Sequence, residues 1–294
     1  MEFFLLLLTS GIAVGGIYAL IALGFVLIYK ATSIINFATG EFMMIGAYIF
    51  YTCSVLVGLP AIPSFLVVMA GAGLLGLLVE RTILRHMLGQ PTISIVMVTI
   101  GLSSILTGFA EMIWTSDFKS FLPLFPRAPI IVGDIIIRSN LFWGFVVAMT
   151  TVAIFALIFK YAKVGVAMRA TAGDQMAAFS MGINVRSMFT IAWIFGAIAA
   201  SIGGLIIGNI GGVQPNLGGI GLKIFPVVIL GGLDSIGGAV LGGLIVGVVE
   251  NLAGGYLDPM VGGGVKNIAP FVVLVLILMV RPYGLFGRKD IERL

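Results

Sequence analysis

The chain has 294 residues, of which 60% are hydrophobic and 10% are charged, and its mean hydropathy is +1.20. Soluble domains carry about 25% charged residues, so this composition excludes a soluble globular protein and indicates one that crosses a membrane several times. The net charge of +4 does not indicate nucleic-acid binding, because the basic residues stand next to apolar segments, where membrane orientation accounts for them.

The first half of the chain contains four predicted spans and one polar interruption. The spans are expected at 3–29, from about 42 to 58, at 62–79 and at 93–114. Between the first two, Asn36, Thr39, Gly40 and Glu41 interrupt an otherwise apolar run, which predicts a broken or re-entrant helix.

The second half repeats this pattern of spans and a break. Residues 115–140 form a loop with three prolines, and the glycine-rich stretch 209–223 is also predicted to be loop. The ten apolar residues 224–233 are too short to cross as a helix, and Asp234 and Ser235 break them. Further spans are expected at 141–159, 187–208, 236–252 and 268–280. The fold class is therefore an all-α polytopic membrane protein with about eight to nine transmembrane helices. Polar breaks at 39–41 and 231–235 make two weakly related halves, and breaks in matched places indicate a transport path.

A polar, basic stretch at 160–186 separates two of the spans. Asp174 is suited to cap the start of a helix, and Gly182 is suited to end it, which predicts a two-turn helix over 175–181. A helix this short is not stable alone in water. It is either a solvated loop helix or one that docks in a partner's groove, with Ala177, Ala178 and Met181 on one side.

The positions of Lys and Arg predict the orientation. The loops at 80–86 and 160–186 and the charged tail after residue 286 carry most of the basic residues, so they are expected in the cytoplasm. The N-terminus and the loop at 115–140 are then outside. Glu80 is expected to form a surface ion pair with Arg81.

The chemistry expected of an enzyme is missing from the sequence. There is no phosphate-binding loop of the Gly-x-x-x-x-Gly-Lys-Ser/Thr type, and His86, the single histidine, lacks further metal ligands. We therefore predict no catalytic residues, no metal site and no cofactor on this chain. Glu41 and Asp234 lie at the two breaks, where each could cap a half-helix, contact a substrate, or do both.

Five stretches in chain order resemble the membrane permease of ABC importers for branched-chain amino acids, the LivH type. INFATGE at 35–41 and the alanine-rich loop ending in Gly-Ile at 182–183 are the most specific. The full set of matching stretches is 15–48, 80–85, 165–185, 229–247 and 280–289. The resemblance implies one transmembrane permease domain over 1–294 in the bacterial inner (plasma) membrane.

The resemblance also implies partners and site residues. Two ABC ATPase subunits, which hold the ATP and Mg, would dock on the cytoplasmic loop. A second related permease chain would form a homo- or heterodimer with this one, and an extracytoplasmic binding protein would deliver substrate. The ATPase-coupling residues would be Arg169, Ala170, Ala172, Asp174, Ala177, Ala178, Met181, Gly182 and Ile183. The substrate path would include Asn36, Phe37, Gly40, Glu41, Asp234 and Ser235.

Three alternatives to this interpretation remain at the level of sequence. The substrate could be urea, a short amide or a small carboxylate instead of an amino acid. The chain could be a secondary transporter driven by an ion gradient, or a membrane scaffold. The path itself is expected to be largely apolar, because Lys223 and Lys266 are predicted to stand at the ends of spans.

Overall fold

The chain folds as twelve α-helices and one two-stranded hairpin in the residues that the computed structural model describes, which are 1–287 apart from 88, 122–123, 127 and 133–134. The helices are α1 Glu2–Thr32, α2 Thr39–Tyr51, α3 Ala61–Thr82, α4 Thr92–Trp114, α5 Ser139–Tyr161, α6 Lys163–Gly173, α7 Gln175–Ser180, α8 Val185–Gly211, α9 Gly221–Gly231, α10 Ile236–Tyr256, α11 Asp258–Val261 and α12 Val265–Val280. The strands are β1 Ile130–Val132 and β2 Ile135–Ile137, which pair antiparallel. A π-helical turn, Thr52–Leu56, extends α2, and short 3₁₀ helices cover Leu84–Met87 and Pro215–Ile220.

The predicted all-helical membrane fold is confirmed. Within the described residues, seven helices are long and apolar enough to cross a membrane, and the segments Pro215–Gly231 and Val265–Val280 are apolar but shorter. The expected eight to nine crossings are reached when these two shorter segments are included. The loop predicted at 115–140 contains the hairpin, and the charged tail expected in the cytoplasm lies, from residue 288 onward, outside the described residues.

Helix α1 occupies the centre of the bundle. It has 31 residues and is apolar around its whole circumference, as a helix buried on all sides must be. Glycines allow α10 to approach it closely: a Cβ added at Gly15 would come within 2.7 Å of the Gly243 carbonyl oxygen. Close approach through small residues is the usual way in which helices associate in lipid.

Helices α1 and α8 run antiparallel through this centre. Gly196 of α8 lies against Ile28, near the end of α1, whereas Gly203 lies against Ile21, further back along α1. The two helices therefore end at opposite ends of the bundle. A break in the helical chain follows each of them, at residues 33–38 and at residues 212–220.

The break after α8 differs from the sequence prediction. The glycine-rich stretch was expected to be loop to residue 223, but it contains the 3₁₀ helix Pro215–Ile220, and α9 already begins at Gly221. Packing against α2 holds this stretch in place, which local glycine content could not indicate. Helix α9 has 11 residues, so it rises about 16 Å, roughly half of the ~30 Å hydrocarbon core.

Candidate functional site

The N-terminal ends of α2 and α9 meet inside the bundle. The last turn of α9 lies beside Tyr29 and Lys30 at the end of α1, so the first turn of α9 lies about half a membrane thickness away from that end. There it meets the start of α2: a Cβ added at Gly40 would lie 3.0 Å from the Cα of Gly221 and would also strike the carbonyl oxygen of Gly218. We call this contact between residues 36–41 and 218–221 the junction.

Side chains satisfy the exposed backbone of the first break. The Asn36 Oδ1 accepts a hydrogen bond of 3.0 Å from the Ala38 N–H, and the Thr39 hydroxyl donates to the Asn36 carbonyl at 2.9 Å. From α4, the Thr99 hydroxyl accepts from the Phe37 N–H at 3.3 Å. Non-helical backbone at membrane depth is stable only with such protein partners or beside a water-filled cavity.

Two polar groups at the junction are buried and incompletely paired. Asn36 is fully buried, and the Glu41 side chain reaches toward Gly218 of the second break. Among the described residues, neither Nδ2 of Asn36 nor Oε2 of Glu41 has a hydrogen-bond partner. Glu41 also lies in the first turn of α2, where the helix dipole favours a negative charge. The junction therefore holds polar groups that are buried inside the bundle and not fully paired.

The second pair of predicted path residues lies elsewhere. Asp234 and Ser235 stand in the turn between α9 and α10, at the opposite end of α9 from the junction. The Ser235 hydroxyl caps α10 by accepting from the Gly238 N–H at 3.0 Å. Asp234 lines a cavity of about 530 Å³ together with Lys30 and Arg169. Within this chain Gly218 and Gly221, not Asp234 and Ser235, lie against Gly40.

The cytoplasmic-loop candidates form two short helices, α6 and α7. Arg169 of α6 donates to the carbonyl oxygens of Phe159 and Lys160 at the end of α5, and its guanidinium lies 5.5 Å from the Phe159 ring. Ala170 and Ala172 are exposed on α6. Arg169 thus connects α6, the first part of the loop, to the end of α5.

Helix α7 is capped as the sequence predicted. The Asp174 carboxylate accepts from the N–H groups of Met176 and Ala177 at 2.8 and 2.9 Å, and Gly182 ends the helix with φ +81°. Ile183 follows and is half-buried.

The exposed face of α7 differs from the expected one. Ala177 and Met181 are exposed, but Ala178 is only 3% exposed and packs into its own chain. The large apolar side chains that face outward are Met176, Phe179 and Met181, with Phe179 at 71% exposure. Met176 and Phe179 were not among the predicted coupling residues. Their signal in the sequence is two large apolar residues three positions apart on a short helix in a basic loop.

A charged cluster near the junction was also missed. Lys223, predicted at a span end, is the third residue of α9. Its Nζ donates to Glu250 Oε1 of α10 at 2.7 Å and to Asn267 Oδ1 of α12 at 2.9 Å. The prediction failed because the start of α9, halfway through the membrane, cannot be recognised from an apolar run alone.

Glu80 likewise has a different partner from the expected one. It is 2% exposed, not on the surface, and it accepts from Arg85 at 3.1 Å and from the Thr190 hydroxyl at 2.8 Å. Arg81, the expected partner, is exposed. In the described part of the chain, no three His, Cys, Asp or Glu residues come together as a metal site.

Comparisons with known proteins place the chain in a family. Residues 7–280 match the family model described as the permease component of branched-chain amino acid transport systems. The chain is 30% identical to the high-affinity branched-chain amino acid transport permease BraD of Pseudomonas aeruginosa, over 97% of this chain and 96% of that protein. It is 31% identical to the corresponding permease LivH of Salmonella typhimurium, over 99% and 98%.

The fold is also found in a solved structure. A chain in the structure of PsaBC from Streptococcus pneumoniae in complex with Fab matches 96% of this chain and 93% of its own length, with a TM-score of 0.50 and 13% identity. At that identity the likeness concerns the fold alone. Because the family model and the relatives match nearly the full length of the sequence, the chain belongs to the family of permease components of branched-chain amino acid transport systems.

Proposed function

We propose that this chain is the membrane permease subunit of an ATP-driven importer that translocates branched-chain amino acids delivered by a binding protein. The observation that carries the proposal is the junction, in which the first turns of two helices, α2 and α9, meet inside the bundle after breaks that enter it from opposite ends. In a chain of this family, such broken helices are the expected place of a substrate path. The chain itself is not an enzyme; a separate ATPase holds and hydrolyses ATP with Mg²⁺.

The path runs past Asn36, Phe37, Gly40 and Glu41 at the junction. The buried and incompletely paired Asn36 and Glu41 support this assignment. Asp234 and Ser235 belong to the cytoplasmic end of the same route, where the 530 Å³ cavity opens between α1, α6 and α9. A substrate released from the junction would enter this cavity before leaving the protein.

Two ABC ATPase subunits dock on α6 and α7. The exposed apolar face formed by Met176, Phe179 and Met181 supports this, because such a face on a short capped helix fits an apolar groove. The attachment of α6 to the end of α5 through Arg169 supports a role in transmitting motion. A second related permease chain completes the transmembrane unit, and a binding protein docks on the opposite side.

The complex lies in the inner (plasma) membrane, with the N-terminus of this chain outside and the C-terminus in the cytoplasm. The end of α1, the Leu84–Met87 turn and the loop with α6 and α7 gather at one end of the bundle. Lys30 lies 5.2 Å from the Phe159 ring, and Arg85 donates to Thr190 at 3.2 Å. Concentration of Lys and Arg at one end supports a cytoplasmic location for that end.

Reconstitution tests the proposal. The chain, its partner permease and the ATPases are placed in liposomes with the binding protein outside and ATP inside, and uptake of labelled leucine is measured. We expect uptake that requires both ATP and the binding protein, and that unlabelled isoleucine and valine reduce. Uptake driven by an ion gradient without ATP, or uptake of urea but not of leucine, would contradict the proposal.

A further inference from the structure

Lys223 carries a positive charge into the helical bundle, between α9, α10 and α12. It stands in the first turn of α9, close to the junction, and hydrogen bonds to Glu250 and Asn267 hold its ammonium group. The Glu250 side chain is 2% exposed, whereas the Lys223 side chain is 19% exposed. Charged groups inside a membrane are costly, and they face a protein interior or a water-filled cavity. The exposed part of Lys223 therefore needs such surroundings.

The surface around Lys223 must also face protein or a water-filled cavity. In the 3₁₀ helix before α9, Asn216 and Gly219 are exposed, and Leu222 follows on the same side at 55% exposure. A Cβ added at Gly219 would meet nothing within 4 Å. Irregular backbone cannot face lipid at this depth. This side of the chain therefore faces the aqueous path or the partner chain that encloses it.

We propose that Lys223 receives the carboxylate of the amino acid as it passes the junction. The inference rests on the proposed function and adds a ligand contact to it. An ammonium group has three hydrogens; two are directed to Glu250 and Asn267, and the third can donate to a carboxylate oxygen from the exposed side. Charge-assisted hydrogen bonds of this kind are the strong ones in proteins.

Glu250 holds the Lys223 ammonium in place and limits its affinity for substrate. Its Oε1 is 2.7 Å from Lys223, and the Tyr18 side chain of α1 also interacts with its carboxylate. A cation that is already neutralised by Glu250 binds a second carboxylate weakly. Weak binding suits a passage that must release its cargo.

Chemical rescue of a cysteine variant tests the role of the charge. In a Cys53→Ala background, Lys223→Cys should lower leucine uptake by the reconstituted complex at least about tenfold, as expected for loss of a hydrogen bond to a charged group. Aminoethylation of the new thiol with 2-aminoethyl methanethiosulfonate restores an ammonium group and should recover most of the uptake. The 2-sulfonatoethyl reagent should not. Lys266→Cys, on the neighbouring α12, is the matched control and should respond to neither reagent.

A double variant separates substrate contact from structural support. Replacing a buried ion pair by apolar side chains of similar size often preserves stability, so Lys223→Met combined with Glu250→Leu should assemble with the ATPases as the wild type does. We expect it to transport leucine at least about tenfold more slowly. Retained uptake in this variant would overturn the inference, as would equal effects of the two thiol reagents. If Lys223→Cys fails to assemble, the double variant alone decides.

The two proposals fail in different ways. A wild-type complex that does not take up leucine with ATP and the binding protein contradicts the proposed function itself. A wild-type complex that takes up leucine, together with Lys223 variants within about twofold of it, contradicts only the role of Lys223.

Discussion

The Glu80 carboxylate is buried and depends on partners from two helices. Arg85 donates to it through both Nε and a terminal nitrogen, at 3.2 and 3.1 Å, and Thr190 of α8 donates at 2.8 Å. These bonds join the end of α3 to the first turns of α8. A buried charge that loses one partner retains its desolvation cost, so the residues around Glu80 should be sensitive to substitution.

Arg85→Met should lower the free energy of unfolding by about 1–3 kcal/mol, because Glu80 then remains buried with Thr190 as its remaining partner. Thermal unfolding of the purified chain in detergent measures the loss. Arg81→Met is the matched control: Arg81 is adjacent to Glu80 in sequence but exposed, and such surface changes stay within about 0.5 kcal/mol. Equal losses in the two variants would show that Glu80 does not depend on Arg85.

The role of a single residue could be predicted from the sequence where its interaction partners are close to it in the chain. The roles of Asp174 and Gly182 could be assigned because a helix cap depends on the next two or three residues. The partners of Glu80 and Lys223 could not, because Thr190 is 110 residues from Glu80 and Glu250 is 27 residues from Lys223. Which side of α7 is exposed depends in the same way on distant packing around Ala178.

At the scale of elements, α7 offers the sharpest test of coupling. Ala178 is unsuitable for that test, because a large or charged residue there would disturb the packing of its own chain. Phe179 is 71% exposed, so its replacement leaves the packing around Ala178 in place.

Phe179→Asp should abolish co-purification with the ATPases and reduce ATP hydrolysis stimulated by the permease at least about tenfold, since a desolvated, unpaired charge in an apolar groove costs several kcal/mol. Phe179→Leu keeps the apolar contact and should retain most of both. The permease should insert and purify normally in each case. A Phe179→Asp chain that still binds and stimulates the ATPases would remove α7 from the coupling surface.

The spans were predictable because length and hydropathy determine them. Helix α4 was expected at 93–114 and is found at Thr92–Trp114, and the break before α2 was expected from Asn36 to Glu41 and is found at 33–38. The 3₁₀ helix Pro215–Ile220 was missed because four of its six residues are Pro, Asn or Gly, which are typical of turns. Helix α6 was missed because a basic composition was interpreted as loop.

At the scale of the whole molecule, the two breaks define a symmetry that the sequence only partly indicated. We expected matched breaks at 39–41 and 231–235, and the structure instead pairs 33–38 with 212–220. Because α1 and α8 end at opposite ends of the bundle, one break enters from each side. Opposed half-helices of this kind are typical of repeats with inverted topology. The second break was assigned to the wrong residues because the charged Asp234 interrupts the apolar sequence more clearly than the glycines at 212–220 do.

Accessibility to a membrane-impermeant maleimide tests the proposed orientation. In a Cys53→Ala background, Ser116→Cys lies in the loop before β1, and Lys163→Cys lies at the start of α6; both positions are exposed. In right-side-out vesicles Ser116→Cys should be labelled directly, whereas Lys163→Cys should be labelled only after the membrane is permeabilised. The reverse pattern would invert the topology and would place α7 where no ATPase can reach it.

The glycine contacts of α1 have a consequence for biogenesis. Helix α1 is synthesised long before α10: its Gly11 and Gly15 pack against Gly243, Gly247 and Val248, which follow more than 200 residues later. Until α10 is inserted, this side of α1 is covered by lipid or by the insertion machinery. The core around α1 is therefore completed only after α10 has been synthesised. If synthesis stops before α10, the side of α1 that contains Gly11 and Gly15 stays uncovered. Membrane quality control would then have this uncovered side of α1 to recognise.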